Sequence, residues 1–314
     1  MATEHHLSCA TVHYAWDNSI PARLTVDPGD TVVFETRDSS DRYYTADSSH
    51  ADVARKGPLQ GHPLTGPVHV RGAAPGDTLI VEILDITPTE RFGWTAIRPG
   101  KGLLPIEEFP RHFLQIWDLS DGHLARMRQR REIAVPIEPF PGIVGTALSA
   151  AGAHSTIPPR ENGGNMDLKH LTRGTRLYLP VFKPGALLSV GDAHAAQGDG
   201  EVCVTAIEMS ATMTLKIDLH HGRSLPEPQL RTEGGICKSV ARGPYFATTA
   251  HGTDLFECAR RATRYLVEHL VAERALSREE AYVLCSVCAD LKISQIVDAP
   301  HWSVAAFLPE NVFV

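Results

Sequence analysis

The sequence predicts a mainly β protein: a β-sandwich or barrel-like body followed by a C-terminal α+β unit containing two helices. Three observations carry this. Short runs rich in Val, Ile, Thr and Leu, bounded by Gly or Pro-Gly, recur through the first two thirds of the 314-residue chain. Apolar residues switch to helical spacing in the last third. The regular strand–helix alternation of a doubly wound fold is missing. The expected division is residues 1–220 as a mainly antiparallel β body, with room for two β subdomains, and 221–314 as the α+β unit.

Taken in order, DTVVFETRD (30–38), GDTLIVEILDI (76–86), TRLYLPV (175–181), ALLSV (186–190) and EVCVTAIEMS (201–210) read as strands. SATMTLKIDL (210–219) places Met213, Leu215, Ile217 and Leu219 on one face, the period of a half-buried strand. PGDTVVFETRD from Pro28 and PGDTLIVEILD from Pro75 align without gaps. In each, Pro presets φ and Gly supplies a positive φ for the turn into the strand. HLARMRQRREIAVPIEPFPG is basic and then apolar, which suits a solvated hairpin better than a phosphate-binding patch. Leu255, Cys258, Ala259, Ala262, Leu266, Leu270 and Val271 give one apolar helix face. Ser277 and Glu280 form a capping box for a second helix reaching about Ala289, and LKISQIVDA follows as a closing strand.

Composition narrows the partners. With 43% hydrophobic and 21% charged residues the chain has ample material for a core, and a net charge of −7 argues against nucleic acid or anionic membrane. The N-terminus lacks the basic and apolar regions of a signal peptide, and no run is long enough to span a bilayer, so a cytoplasmic location is expected. Cys9, Cys203, Cys237 and Cys258 stand alone, and Cys285 and Cys288 lie within an apolar helix rather than at an exposed redox site. Neither a G-x-S-x-G elbow, nor a phosphate-binding P-loop, nor an H-E-x-x-H helix occurs.

Three segments carry chemistry. In GHPLTGP, His62 is held in a proline-stiffened loop, ready to bind a ligand at little entropic cost, although such a histidine is commonly just exposed. In STIPPRENGGNMD, Arg160, Glu161, Asn162, Asn165 and Asp167 surround Gly163–Gly164. Paired glycines let backbone N–H groups approach a ligand, while a plain polar turn accounts for the same composition. GDAHAAQGDGE (191–201) mixes Asp192, His194, Gln197, Asp199 and Glu201 among small residues at an expected hairpin connection. In an extended chain Asp192 and His194 share one face, and so do Asp199 and Glu201. That mixed oxygen and nitrogen set suits a divalent metal ion, zinc or calcium.

HPLTGP, STIPPRENGGNMD, GALLSVGDAHAAQGDGEVCVTAIE and SREEAYVLCSVCADLKISQIVD, together with PGDT and GLLP, resemble the signature segments of the acetamidase/formamidase family, in order and over nearly the whole chain. The resemblance implies a β-sandwich and barrel-like fold with a small α+β unit. It also implies a hydrolase of short aliphatic amides, releasing ammonia and a carboxylate, with a small-molecule amide as partner and copies joined in a homo-oligomer. Without a convincing Ser or Cys nucleophile, metal-assisted attack of water is the expected mechanism. The expected roles are Asp192, His194 and His62 as metal ligands, with Asp199, Glu201 and Gln197 as orienters or a further cation site. Gln197, Gly163 and Gly164 would also contact substrate. Glu161 is the expected base and later acid, Asn165 and the glycine N–H groups the oxyanion donors, Arg160 a carboxylate clamp, and Asp167 a further catalytic residue. The rival expectation is a non-catalytic β-sandwich binding module in which GDAHAAQGDGE is a structural calcium loop. One segment departs from the family pattern: DSSDRYYTADSSHADVARKG, Asp38 to Gly57. If it lines the pocket, amide preference shifts.

Overall fold

The computed structural model describes residues 2–57, 60–234 and 243–314; Cys237 lies outside them. Two large sheets build the body. The six-stranded sheet runs Glu4–Leu7, Thr31–Thr36, Ala211–His220, Thr78–Pro88, Arg176–Pro180 and Gln229–Arg231. Only its first pair is parallel. The ten-stranded sheet has Phe92–Ile97, Glu208–Met209, Leu188–His194 and Phe140–Gly145 adjacent in that order. Val32, Phe34, Leu79 and Met213 from the first sheet join Trp117, Phe140, Leu188 and Val190 from the second in one buried core. The mainly β expectation holds.

The repeated PGDT has a structural counterpart. Gly29 and Gly76 take φ of 94° and 95°, and each following Asp closes the turn. Asp30 accepts the N–H of Asp27 at 3.0 Å and Asp77 that of Ala74 at 3.0 Å. Each also accepts a distant backbone N–H, from Thr3 and Gly222 respectively, and a histidine nitrogen, from His5 and His221. The strands they launch lie on either side of Ala211–His220, whose Met213, Leu215 and Ile217 are buried as the alternation predicts.

The C-terminal unit contains α2 (Leu255–Arg274) and α3 (Arg278–Cys288), after the short α1 (His50–Lys56) of the body. Asp254 caps α2 by accepting the Glu257 N–H, and Ser277 and Glu280 form the expected capping box on α3. Both helices pack on a three-stranded sheet ordered Tyr245–Gly252, Trp302–Pro309, Asp290–Gln295. Cys285 and Cys288 are buried within α3. No helix among the described residues is long and apolar enough to cross a membrane. The basic stretch is a hairpin of Leu124–Met127 and Ala134–Pro136, whose Arg126, Arg128, Arg130 and Arg131 pair with nearby acids.

Two expected elements differ. Of the strand expected over 201–210, only Glu208–Met209 is one. Residues 201–207 coil instead, with the backbone groups of Val202, Cys203 and Thr205 bonded to α3 side chains rather than to a neighbouring strand. The polar stretch is also not purely a connection: the strand Leu188–His194 runs into it, so Asp192 and His194 are strand residues.

Backbone N–H donation, first from Thr3, pushes the Asp30 carboxyl down to about 2 despite its burial; donation from Gly222 lowers Asp77 likewise. A carboxyl whose folded pKa is depressed stabilises fully above its ordinary pKa and loses that contribution as pH falls through the folded value. Thermal melts between pH 5 and 2 should therefore show a shallower acid slope in Asp30→Asn than in the parent, together with a melting temperature a few degrees lower at pH 7. Parallel pH curves would contradict the role of Asp30.

Candidate active site

The site is built where acids from two adjacent strands and two neighbouring loops surround one imidazole. His194 pairs with Phe140 on one side and Glu208 on the other. Its ring meets Phe140 edge-on, with centroids 5.1 Å apart at 86°. His194 Nε2 lies 3.4 Å from Glu208 Oε2 and 3.5 Å from Asp192 Oδ1, all three residues being buried. His62 Nε2 faces the other oxygen of Asp192 at 3.9 Å, and the Thr156 hydroxyl lies 3.2 Å from its Nδ1. A second triad, Asp167, His194 and Glu201, shares the same histidine, with donor atoms mutually within 4.8 Å. Across the ladder, Gly142 leaves room for it. A Cβ there would sit 2.8 Å from Asp167 Oδ1, from the Asp192 carbonyl and from His194 Cε1.

Strain marks the same residues. Asp167, Asp192 and Glu201 have φ of 46°, 55° and 40°, a region non-glycine residues seldom occupy and one associated with functional sites. The surroundings hold them there. Ser286 of α3 accepts the Cys203 N–H at 3.0 Å, donates to the Thr205 carbonyl at 2.8 Å, and accepts the Gly198 N–H on its own carbonyl at 2.9 Å. Tyr282 donates to the Val202 carbonyl. Gly198 packs so closely on the Ala289 backbone that a Cβ would overlap it.

Burial dominates the electrostatics. It raises Asp167 to about 7, with His194 opposing and the carboxylates of Asp192 and Glu208 adding to the rise. Burial likewise raises Glu201 and Glu208. Asp192 is the exception: burial works against its ionisation, but His62 and His194 outweigh it and hold the carboxyl low. For His194, burial is outweighed by Glu208 and Asp192, which hold it well above the ordinary histidine value. Asp167 Oδ1, Asp192 Oδ1, both His194 ring nitrogens and Gln197 Oε1 are buried without a hydrogen-bond partner among the described residues. Several of these orphaned atoms belong to the Asp192–His194–Glu208 and Asp167–His194–Glu201 groups, within each of which the donor atoms lie within 4.8 Å of one another, and such sets fit a divalent cation.

The expected residues separate into groups. Asp192, His194, His62, Glu201 and Asp167 converge, and Gln197 anchors to the Asp167 carbonyl at 2.7 Å. Gly163, Gly164 and Asn165 form a short strand against Val144 and its neighbours. The Gly163 N–H donates to the Arg160 carbonyl, so it is not a free oxyanion donor. Asn165 donates to the Ile157 carbonyl at 3.1 Å and keeps a buried, unpartnered Oδ1; Arg160 Nε is buried and unpartnered too. Glu161 is exposed at the turn between them. Asp199 faces Lys169 at 3.4 Å, an ion pair outside both triads. Glu208 escaped the sequence reading. Its signal was an acid inside the otherwise apolar run VCVTAIEM.

A family model described as the acetamidase/formamidase family matches residues 2–152 and 148–314. The chain belongs to this family. An acetamidase of Mycolicibacterium smegmatis is 34% identical over 270 positions, covering 67% of this chain and 66% of its own length. A formamidase of Methylophilus methylotrophus is 27% identical over 376 aligned positions, 96% of this chain and 89% of its own. Among solved structures, the gamma lactamase from Delftia acidovorans superposes with a TM-score of 0.89 at 26% identity, over 98% of this chain and 93% of that one. As a family member the chain is an amidohydrolase.

The packing of Gly198 gives a test of how the site is held. Gly198→Ala should lower both melting temperature and amidase activity, because a Cβ drives the Glu201 loop away from α3. Gly234→Ala, which meets nothing within 4 Å, should change neither. Equal behaviour of the two variants in melts and ammonia-release assays would contradict the clamp.

Proposed function

We propose that the chain hydrolyses short aliphatic amides of the formamide and acetamide type, with water as attacker and a divalent metal ion, zinc by preference, at the Asp192–His194–Glu208 group. The observation that carries this is the buried His194 imidazole set among carboxylates, with no hydrogen bond completed at either ring nitrogen. Imidazole and carboxylate together suit zinc, whereas calcium takes oxygen ligands. Alternative nucleophiles are badly placed. Burial raises the Cys203 thiol to about 11 and pushes Cys285 and Cys288 up as well. Ser189 Oγ meets His13 Nε2 at 2.9 Å, but the residue is buried and its hydroxyl is packed close to Gly66, where an added Cβ would sit 2.4 Å from it.

Asp192, His194 and Glu208 would hold the ion, with His62 beside Asp192 and Asp167 and Glu201 on the facing side. When bound, such an ion supplies Lewis-acid polarisation of the amide carbonyl and lowers the pKa of water toward neutrality. The chain's own residues then handle the proton. Asp167 Oδ1, buried and without a partner, takes it from the attacking water and returns it to the amide nitrogen as the C–N bond breaks. Glu161, exposed on its turn, is less suited to that role. Asn165, whose Oδ1 is buried and unpartnered, is assigned the role of accepting from the amide N–H₂ group, and Gln197 fixes the backbone carrying Asp167. The γ-lactamase similarity adds five-membered cyclic amides to the substrates worth assaying.

Ammonia release from formamide and acetamide should vanish after exhaustive chelation and return with zinc. Full activity in rigorously metal-free protein would refute the metal role. Asp167→Asn should cut kcat by about 10²–10⁴-fold, the usual range for a general base, while Glu161→Gln stays near the parent. The reverse ranking would restore the base role to Glu161.

A further inference from the structure

We propose that Ser39, from the atypical Asp38–Gly57 segment, is a positioning residue that sets the carboxylate of Glu208 for cation binding. This rests on the reading of Glu208 as a ligand given above. Ser39 Oγ donates to Glu208 Oε2 at 2.7 Å, and the Ala206 N–H donates to Oε1 at 3.0 Å, so both oxygens are tied and the carboxylate plane cannot rotate. Ser39 and Glu208 are both buried, so this charge-assisted bond is shielded from water. Oε2 is also the oxygen that faces His194 at 3.4 Å.

The turn that carries this hydroxyl is fixed through Asp38. Asp38 Oδ1 accepts the Trp94 indole N–H at 3.1 Å and the Ser40 N–H at 2.8 Å. Its Oδ2 accepts the Arg42 N–H at 3.0 Å, and its own N–H donates to Ser210 Oγ at 3.2 Å. Trp94 is the strand partner of Glu208, and Ser210 lies two residues beyond it. The turn that carries Ser39 is therefore fastened to the same strands that carry the ligand. Asp41 and Arg42 hold φ of 60° each within it. Partners that orient a ligand in this way typically contribute 10–100-fold to metal affinity or activity.

The test measures zinc affinity by competition with a chromophoric chelator, alongside kcat and KM, for the parent, Ser39→Ala, Ser39→Thr, Glu208→Gln and the Ser39→Ala/Glu208→Gln double variant. Ser39→Ala should weaken zinc binding about 10–100-fold and lower kcat with little change in KM. Ser39→Thr, which keeps the hydroxyl, should restore most of both. The double variant should be no worse than Glu208→Gln alone. Unchanged zinc affinity in Ser39→Ala, or losses that multiply in the double variant, would overturn the proposal. If the parent itself binds no zinc, the metal reading fails separately. The kcat cycle then decides: non-additive losses uphold Ser39 as the positioner of Glu208, and multiplied losses reject it.

Discussion

The structure turns on one buried contact: the His194 imidazole held between the carboxylates of Asp192 and Glu208. Ionised groups removed from water are costly unless opposite charges and hydrogen bonds replace the solvent. Here the opposing charges come from two neighbouring strands, with Phe140 of a third packed edge-on against the ring, so the charges are set by sheet register rather than by mobile loops. His194 is flanked by Phe140 and Glu208, and Asp192 precedes it by two residues on the same strand. A slip of one residue would turn these side chains to the opposite face and leave the charges unpaired.

Much of the remaining fold keeps this contact closed. Gly142 admits the Asp167 carboxylate alongside the histidine. α3 grips residues 198–205 through Ser286 and Tyr282, which holds Glu201 at its positive φ. From the other side the Asp38–Arg42 turn fastens to Trp94, Ser210 and Glu208. Strained backbone persists where surrounding structure over-determines it, and these two supports do that. Further away, the paired PGDT turns launch the two strands that flank Ala211–His220, so the scaffold is built from one turn design used twice.

The parts legible in the sequence were those governed by local chemistry. The capping box at Ser277, the apolar face of α2 and the Pro-Gly turns follow from short-range rules, and each stands in the structure. The two-residue spacing of Asp192 and His194 also carried through, because both lie on a strand. Long-range pairing was not legible. Glu208 looks like an ordinary strand residue until the fold sets it opposite His194, and the 201–207 run looks like a strand until α3 captures its backbone. Glu161 and Asp167 sit six residues apart in one polar segment, yet one is exposed and the other reaches the site, a division that the turn at Arg160–Gly163 makes.

The central claim is that the His194 cage binds a cation. Elemental analysis of the purified protein beside its His194→Ala variant tests this most directly. The account predicts a stoichiometric divalent metal in the parent and its loss in the variant. A parent that hydrolyses amides while carrying no metal, or a variant that retains the full complement, would contradict it.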